Sequence, residues 1–185
     1  MKLVVGLGNP GRRYEGTRHN IGYSVLAELA RKFGVERPKA KFHAELVEAD
    51  LDGQRALLLS PVTFMNNSGT SVRETCSFYK LSNEDLLVVC DDFNLPLAKL
   101  RFRSKGSSGG QKGLEDIIRR LGTEEFSRLR IGIGKPPEKW DPADYVLSRF
   151  TTSETPEVEQ AVWRAADAVA LWAHEGIQVC MNSYN

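Results

Sequence analysis

Apolar and polar positions along the chain change their period several times, and each change marks a predicted element. Lys2 to Leu7 is a short apolar run ended by glycine, the pattern of a buried strand. From Asn20 the period lengthens: Ile21, Val25, Leu26, Leu29 and Phe33 recur at helical spacing, with Asn20 in the N-cap position and Gly34 just past the end. Phe42 to Leu51 and Arg55 to Ser60 are predicted as two strands joined at Asp52-Gly53, a strong hairpin signal. A helix is expected over Ser68 to Lys80, and Leu86-Leu87-Val88-Val89-Cys90 predicts another buried strand.

Leu97 to Arg103 alternates cleanly. Leu97, Lys99, Arg101 and Arg103 fall on one face and Ala98, Leu100 and Phe102 on the other, so one face is core and its reverse mostly cationic. Lys105 to Gly110 is expected as a loop, Leu114 to Leu121 as a helix, and Arg128 to Gly134 as a strand followed by a proline-rich loop. Thr155 as N-cap, Pro156 at the first helical position and Glu157 in the first turn open a last long helix that should run to His174-Glu175-Gly176. No repeat, low-complexity run or linker interrupts this order. Strands and helices interleave, and the first and fourth strands are apolar enough to be central, which predicts an α/β fold with a mixed sheet.

Composition sharpens this picture in two ways. At 185 residues the chain suits one domain with a real core, and its formal net charge of +1 conceals a polarised distribution. Between Phe93 and Lys135 ten basic residues face four acidic ones, whereas from Glu138 onward eight acids face three bases. Three cysteines (Cys76, Cys90, Cys180), widely separated and without CxxC spacing, argue against a disulfide framework or a zinc site and fit a reducing cytoplasm. The opening Met-Lys-Leu-Val-Val-Gly reaches glycine and proline before a signal sequence could form, and no apolar run approaches bilayer length, so a soluble, unexported protein is expected.

Val4-Val5-Gly6-Leu7-Gly8-Asn9-Pro10-Gly11 fits the dinucleotide-binding glycine pattern letter for letter. That pattern needs its third glycine to open a helix, and an acid about 20 residues on to bind the ribose. Here Arg12 to Arg18 has no apolar period, the helix starts only near Asn20, and Glu28 lies inside it. A nucleotide-dependent oxidoreductase is therefore disfavoured. The glycines and Pro10 instead make a tight loop that lets a substrate backbone come close, while Asn9 offers an amide; an ordinary turn with Asn in a left-handed conformation fits equally.

Only three histidines exist. His43 alternates within an expected strand and His174 closes a helical turn, and both are most simply structural. His19 lies at the mouth of a helix, on the loop that leaves Asn9, where it is either a solvated capping residue or a base. Asp91 and Asp92 follow an apolar strand, and in an open α/β sheet ligands bind in the crevice outside the carboxyl ends of the strands. If the strands before Asn9 and Asp91 are parallel neighbours, His19 and Asp91 can meet, and an Asp accepting from one imidazole nitrogen leaves the other free to take a proton. The Asp pair could also merely start the turn before Pro96. Asn66, in Phe64-Met65-Asn66-Asn67-Ser68-Gly69, adds an amide at a third loop end, so that Asn9 and Asn66 would offer uncharged donors to a carbonyl oxygen. No serine or cysteine stands in an elbow sequence and no cluster has metal spacing, which makes histidine-activated water the economical chemistry.

Five ordered motifs, GLGNPGRRYEGTRHNIG (6–22), FMNNSG (64–69), DDFNLP (91–96), GSSGGQKGL (106–114) and RLRIGIGKP (128–136), closely resemble the bacterial-type peptidyl-tRNA hydrolases over nearly the whole chain. The resemblance implies a single domain over 1–185, a three-layer sandwich with a twisted, mixed, mostly parallel sheet between helices. It also implies a cytoplasmic monomer that needs no metal or cofactor and makes no membrane contact. Its substrate would be tRNA carrying a peptide, held by acceptor stem and 3′ end, and the ester to the 3′ ribose would be hydrolysed to recycle tRNA from stalled ribosomes. His19 matches the family's catalytic base, Asp91 its partner, and Asn9 and Asn66 the amides that hold substrate carbonyls and the developing oxyanion. Tyr14 and Met65 match residues lining the cleft, and Arg103 and Arg130 a basic pair that clamps the tRNA 5′ phosphate. Phe64, adjacent to Met65, and Lys105, beyond Arg103 on the basic stretch, join the substrate-binding candidates.

One departure stands out. Where the family usually reads Gly-Gly-His-Asn-Gly, this chain has Gly109-Gly110-Gln111-Lys112-Gly113. Lys112 is a donor only, and is expected to contact an acceptor-end phosphate while His19 and Asn66 place the water. Asn94, where an acid is common, is expected to be a turn substitution. A non-enzymatic RNA-binding relative is the main rival, and the intact set of Asn9, His19, Asn66 and Asp91 favours the enzyme.

Overall fold

A computed structural model describes all residues, 1–185. Seven strands, β1 (Lys2–Gly6), β2 (Lys39–Lys41), β3 (Ala44–Leu51), β4 (Gln54–Pro61), β5 (Leu86–Asp92), β6 (Leu100–Arg103) and β7 (Ser127–Gly132), form one sheet in the order β2-β3-β4-β1-β5-β7-β6. The apolar β1 lies between β4 and β5, parallel to both, and β5 is parallel to β7. Pairing is antiparallel between β2 and β3, between β3 and β4, and between β6 and β7, so only β3 and β6 oppose the common direction.

Helices α1 (Ile21–Phe33), α2 (Ser68–Tyr79), α3 (Lys112–Leu121), α4 (Pro142–Val146) and α5 (Thr155–Tyr184) complete the chain. Because side chains alternate along β1, Val4 joins the core under α1 and α5, whereas Leu3 and Val5 join the core under α2 and α3. The apolar stripe of α1, Ile21, Val25, Leu26 and Leu29, is fully buried by this arrangement. Truncating Leu29, which has no exposed surface, to alanine would cost about 2–5 kcal/mol. No helix is long and apolar enough to cross a membrane.

Two glycines bring the start of α1 onto the ends of the central strands. A Cβ on Gly6 would stand 2.4 Å from the Gly22 carbonyl oxygen, and one on Gly22 would stand 2.5 Å from Leu7 N and 2.6 Å from Val89 O. Only bare backbone fits there, so the residues just before α1 lie directly over the exit of β5. The glycine-rich opening thus serves close helix–strand packing. No helix follows Gly11 directly; a short 3₁₀ turn at Arg12–Tyr14 does, and α1 begins at Ile21, which excludes the dinucleotide arrangement.

Several expectations need correction. Phe42 and His43 belong to no strand: both have positive φ and form the tight turn between β2 and β3, so His43 is a turn residue. The strand expected from Leu97 starts at Leu100, because Ala98 has positive φ (63°) and its N–H bonds Gly132 O in a turn. The proline-rich loop after β7 contains α4, capped by Asp141, which accepts the Ala143 N–H. Gly176 is a break inside α5 (φ 80°, ψ 179°), not its end. Beyond the break Cys180 enters the core, Tyr184 meets Phe102, and Asn185 pairs through its side chain with both backbone groups of Phe102 on the edge strand.

Candidate active site

The loops that leave β1, β4 and β5 emerge at the same end of the sheet, since these strands are parallel and in register. His19 sits in a 3₁₀ turn (Arg18–Asn20) that runs straight into α1. Its Nδ1 lies 2.8 Å from Asp91 Oδ2, and Asp91, at the end of β5, is only 3% exposed. A carboxylate can only accept, so Nδ1 carries the proton of the neutral ring, and Nε2, which has no protein partner, faces the cleft. Asp92, the next residue, starts the turn: it accepts the Asn94 N–H at 2.8 Å and pairs with Arg130 at 3.5 Å.

Asn9 is held on three sides. Asn20 Oδ1 accepts its N–H at 2.8 Å, Asn20 Nδ2 donates to its carbonyl at 2.9 Å, and the Met65 N–H donates to its Oδ1 at 2.7 Å. Asn20 therefore occupies the N-cap position without capping; its side chain is spent on the Asn9 backbone. With Oδ1 committed to Met65, Asn9 presents a donor, Nδ2, to the cleft rather than a free amide with both functions.

Phe64 has φ 62° and ψ 156°, an outlier for an aromatic residue that costs on the order of 1–3 kcal/mol. It turns the chain so that the Met65 N–H reaches Asn9 while Asn66, exposed and unpaired, stands at the rim. Phe64 is 52% exposed and meets Tyr14 edge-on at 6.3 Å between ring centroids.

These groups line a cleft of about 460 Å³ whose opposite wall is apolar, made by Pro142, Ala143, Val146 and Leu147 of the α4 segment. That wall is fastened to the histidine segment through Arg18. Its guanidinium forks onto Glu154 (3.1 and 2.9 Å), bonds Ser148 Oγ at 3.1 Å, and lies over the rings of Tyr145 and Phe150.

Of the expected site residues, Asn9, His19, Phe64, Met65, Asn66, Asp91, Lys112 and Arg130 line the cleft. Tyr14 does not and touches it only through Phe64. Arg103 and Lys105 lie outside it and are exposed. In the β6–β7 register Arg103 stands opposite Arg128 and Arg101 opposite Arg130, so Arg103 and Arg130 are diagonal neighbours. Arg130 donates to the carbonyls of Ser107 and Ser108 at 3.0 and 3.1 Å. Arg128 is buried with no carboxylate; it donates to the carbonyls of Gly106, Ser107, Glu124 and Phe126, and burial, then repulsion from Arg130, lowers its pKa to about 10. Lys112 pairs with Glu115 at 3.0 Å. Beside Asp91 in sequence, Cys90 is fully buried, and that burial pushes its thiol up to about 12, far from a nucleophile.

Sequence reasoning missed Asn20, Gln111, Arg18 and the α4 wall. The signal was present for Gln111, which fills the position where the resembling motif has a histidine.

A family model described as peptidyl-tRNA hydrolase matches residues 3–185. The peptidyl-tRNA hydrolase of Rhodopirellula baltica is 52% identical over 185 residues, covering 100% of this chain and 97% of that one. That of Desulfitobacterium hafniense is 48% identical over 186 residues, with 100% of both covered. The crystal structure of peptidyl-tRNA hydrolase from Acinetobacter baumannii superposes with a TM-score of 0.93 at 34% identity, covering 100% of this chain and 94% of that chain.

Proposed function

The chain belongs to the peptidyl-tRNA hydrolase family and hydrolyses peptidyl-tRNA; from that premise we propose that it does so with water deprotonated by His19, as a cytoplasmic monomer that returns tRNA to translation. The observation that carries this is the imidazole itself: one nitrogen on a buried carboxylate at 2.8 Å, the other open to a cleft that also holds two amides.

His19 Nε2 takes a proton from water, and the resulting hydroxide attacks the ester carbonyl. Asp91 stabilises the imidazolium that forms. The Asn66 amide donates to the oxyanion of the tetrahedral intermediate. As the intermediate collapses, the imidazolium returns its proton to the departing 3′ oxygen of the ribose, and the peptide leaves as a carboxylic acid that gives its proton to solvent.

Asn9 supplies selectivity. With its oxygen already used, its Nδ2 donates to the carbonyl of the peptide bond beyond the ester. An unblocked aminoacyl-tRNA has no such carbonyl and instead presents an ammonium group to an N–H donor. The tRNA is held by phosphate contacts from Arg103, Lys105 and Arg130 with Lys112 at the acceptor end, which give affinity without reading sequence. Lys112 must first leave Glu115, an exposed pair worth at most about 1 kcal/mol.

The test is to follow release from N-acetylated aminoacyl-tRNA and from its unblocked counterpart. Release from the blocked substrate alone supports the assignment. No release from the blocked substrate contradicts the function, and equal rates on both contradict the role given to Asn9.

A further inference from the structure

Gln111 precedes α3 and uses its amide in three directions. Oε1 accepts the Leu114 N–H at 2.8 Å and caps the helix; Nε2 donates to Asp91 Oδ1 at 3.2 Å and lies 3.2 Å from Met65 Sδ. The residue is 8% exposed, and the Asp91 oxygen its amide touches is not the one that faces His19.

The amide has only one workable orientation. Turned over, it would set its oxygen against the Asp91 carboxylate and its NH₂ against the Leu114 N–H, so both good contacts would become repulsive. The neighbouring Gly113 boxes it in: a Cβ there would come 3.0 Å from Gln111 Oε1 and 2.6 Å from Met65 Sδ. A helix cap alone would not need so long a side chain, because shorter residues dominate that position.

Building on the catalytic pair proposed above, we infer that Gln111 is a positioning residue, whose amide holds the Asp91 carboxylate so that Oδ2 stays on His19. A carboxylate turns readily about its terminal bond. Held at Oδ1 by a neutral donor that does not titrate, it keeps a fixed acceptor under the imidazole, and the same amide touches the side chain of Met65, whose backbone N–H bonds Asn9.

The test measures kcat and KM on N-acetylaminoacyl-tRNA for Gln111→Leu and Gln111→Glu, each alone and with Asp91→Ala, alongside melting temperatures. Gln111→Leu is expected to lower kcat about 10- to 100-fold, as befits a lost hydrogen bond to a charged group, with KM within about 2-fold. In the Asp91→Ala background the same change should cost less than about 3-fold, since its target is gone. Gln111→Glu keeps an acceptor for the Leu114 N–H but sets a second carboxylate against the buried Asp91, so it should lose at least as much kcat and melt below the parent. Equal losses in both backgrounds would make Gln111 a helix cap and overturn the inference, as would a Gln111→Glu enzyme with parental kcat. Parental activity in Asp91→Ala alone would overturn the catalytic pair first, and the role of Gln111 with it.

Discussion

Asn20 does for the backbone of Asn9 what Asp91 does for the ring of His19: it holds it in one orientation by hydrogen bonds. Replacing Asn20 by alanine leaves the buried N–H and C=O of Asn9 unpaired. A loss of about 1–3 kcal/mol in chemical denaturation is expected, together with a fall in kcat/KM; an unchanged kcat/KM would mean Asn9 needs no such support. Lys112 makes a different prediction, since a phosphate contact should show in salt dependence. Lys112→Ala should reduce the slope of log affinity for tRNA against log salt by about one, and an unchanged slope would remove it from the interface. At this scale Asn9, His19, Asn66 and Asp91 were legible because they are polar residues at loop ends beside apolar strands. Asn20 was misassigned because an asparagine before a helix has an adequate explanation as a cap, and no sequence pattern tells a capping amide from one that reaches back eleven residues.

Among elements, the contact of α1 with β1 and β5 positions His19. Gly22→Ala would force a methyl group to within 2.6 Å of the Leu7 and Val89 backbone oxygens, and neither strand can yield inside the sheet. A destabilisation of about 1–3 kcal/mol is expected in denaturant titrations, with a kcat loss beyond it because α1 carries the His19 turn away from Asp91. The Arg18–Glu154 clamp behaves differently with pH. Burial works to raise the Glu154 carboxyl, but hydrogen bonds from Arg18 and from Thr151 outweigh it and hold the group below the usual carboxylate value. A depressed carboxyl stabilises the fold above its unfolded pKa, and the contribution disappears as pH falls through the folded value. Glu154→Gln should therefore cost about 2 kcal/mol at neutral pH, less than breaking a sealed pair because Glu154 keeps 24% of its side-chain surface. The difference in melting temperature between parent and variant should close in acid; a gap independent of pH would contradict the assignment. The central strands and long helices were legible from their periods. The β2 strand was not, being three exposed residues, and the Phe42-His43 turn was not, because positive φ at such residues leaves no sequence signal. Gly176 carries the mark of a helix end, and only packing of Cys180 and Tyr184 beyond it shows that the helix resumes.

Across the whole molecule the sheet gathers its chemistry at one end, where the parallel strands β4, β1 and β5 release their loops, and places its cationic residues on β6, β7 and the loop between Arg103 and Lys112. This explains how a chain of net charge +1 carries a basic flank. The polarity was visible in the sequence, but not the fact that Arg128 spends its donors on loop carbonyls and Arg130 part of its own, whereas Arg103 and Lys105 are exposed. The thiols report on the integrity of this assembly. Burial raises Cys90 to about 12 and both Cys76 and Cys180 to about 11, so alkylation at neutral pH should be slow in the native protein and rapid for all three in denaturant. Fast labelling of Cys90 in native buffer would contradict the packing of β5.

His19→Asn addresses the shared premise most directly, because it removes the proton acceptor while leaving a polar group beside Asp91. Single-turnover hydrolysis of N-acetylaminoacyl-tRNA should slow by about 10²–10⁴-fold, the usual worth of a general base, with tRNA binding unaltered. A variant that cleaves at the parental rate would show that the water is activated elsewhere.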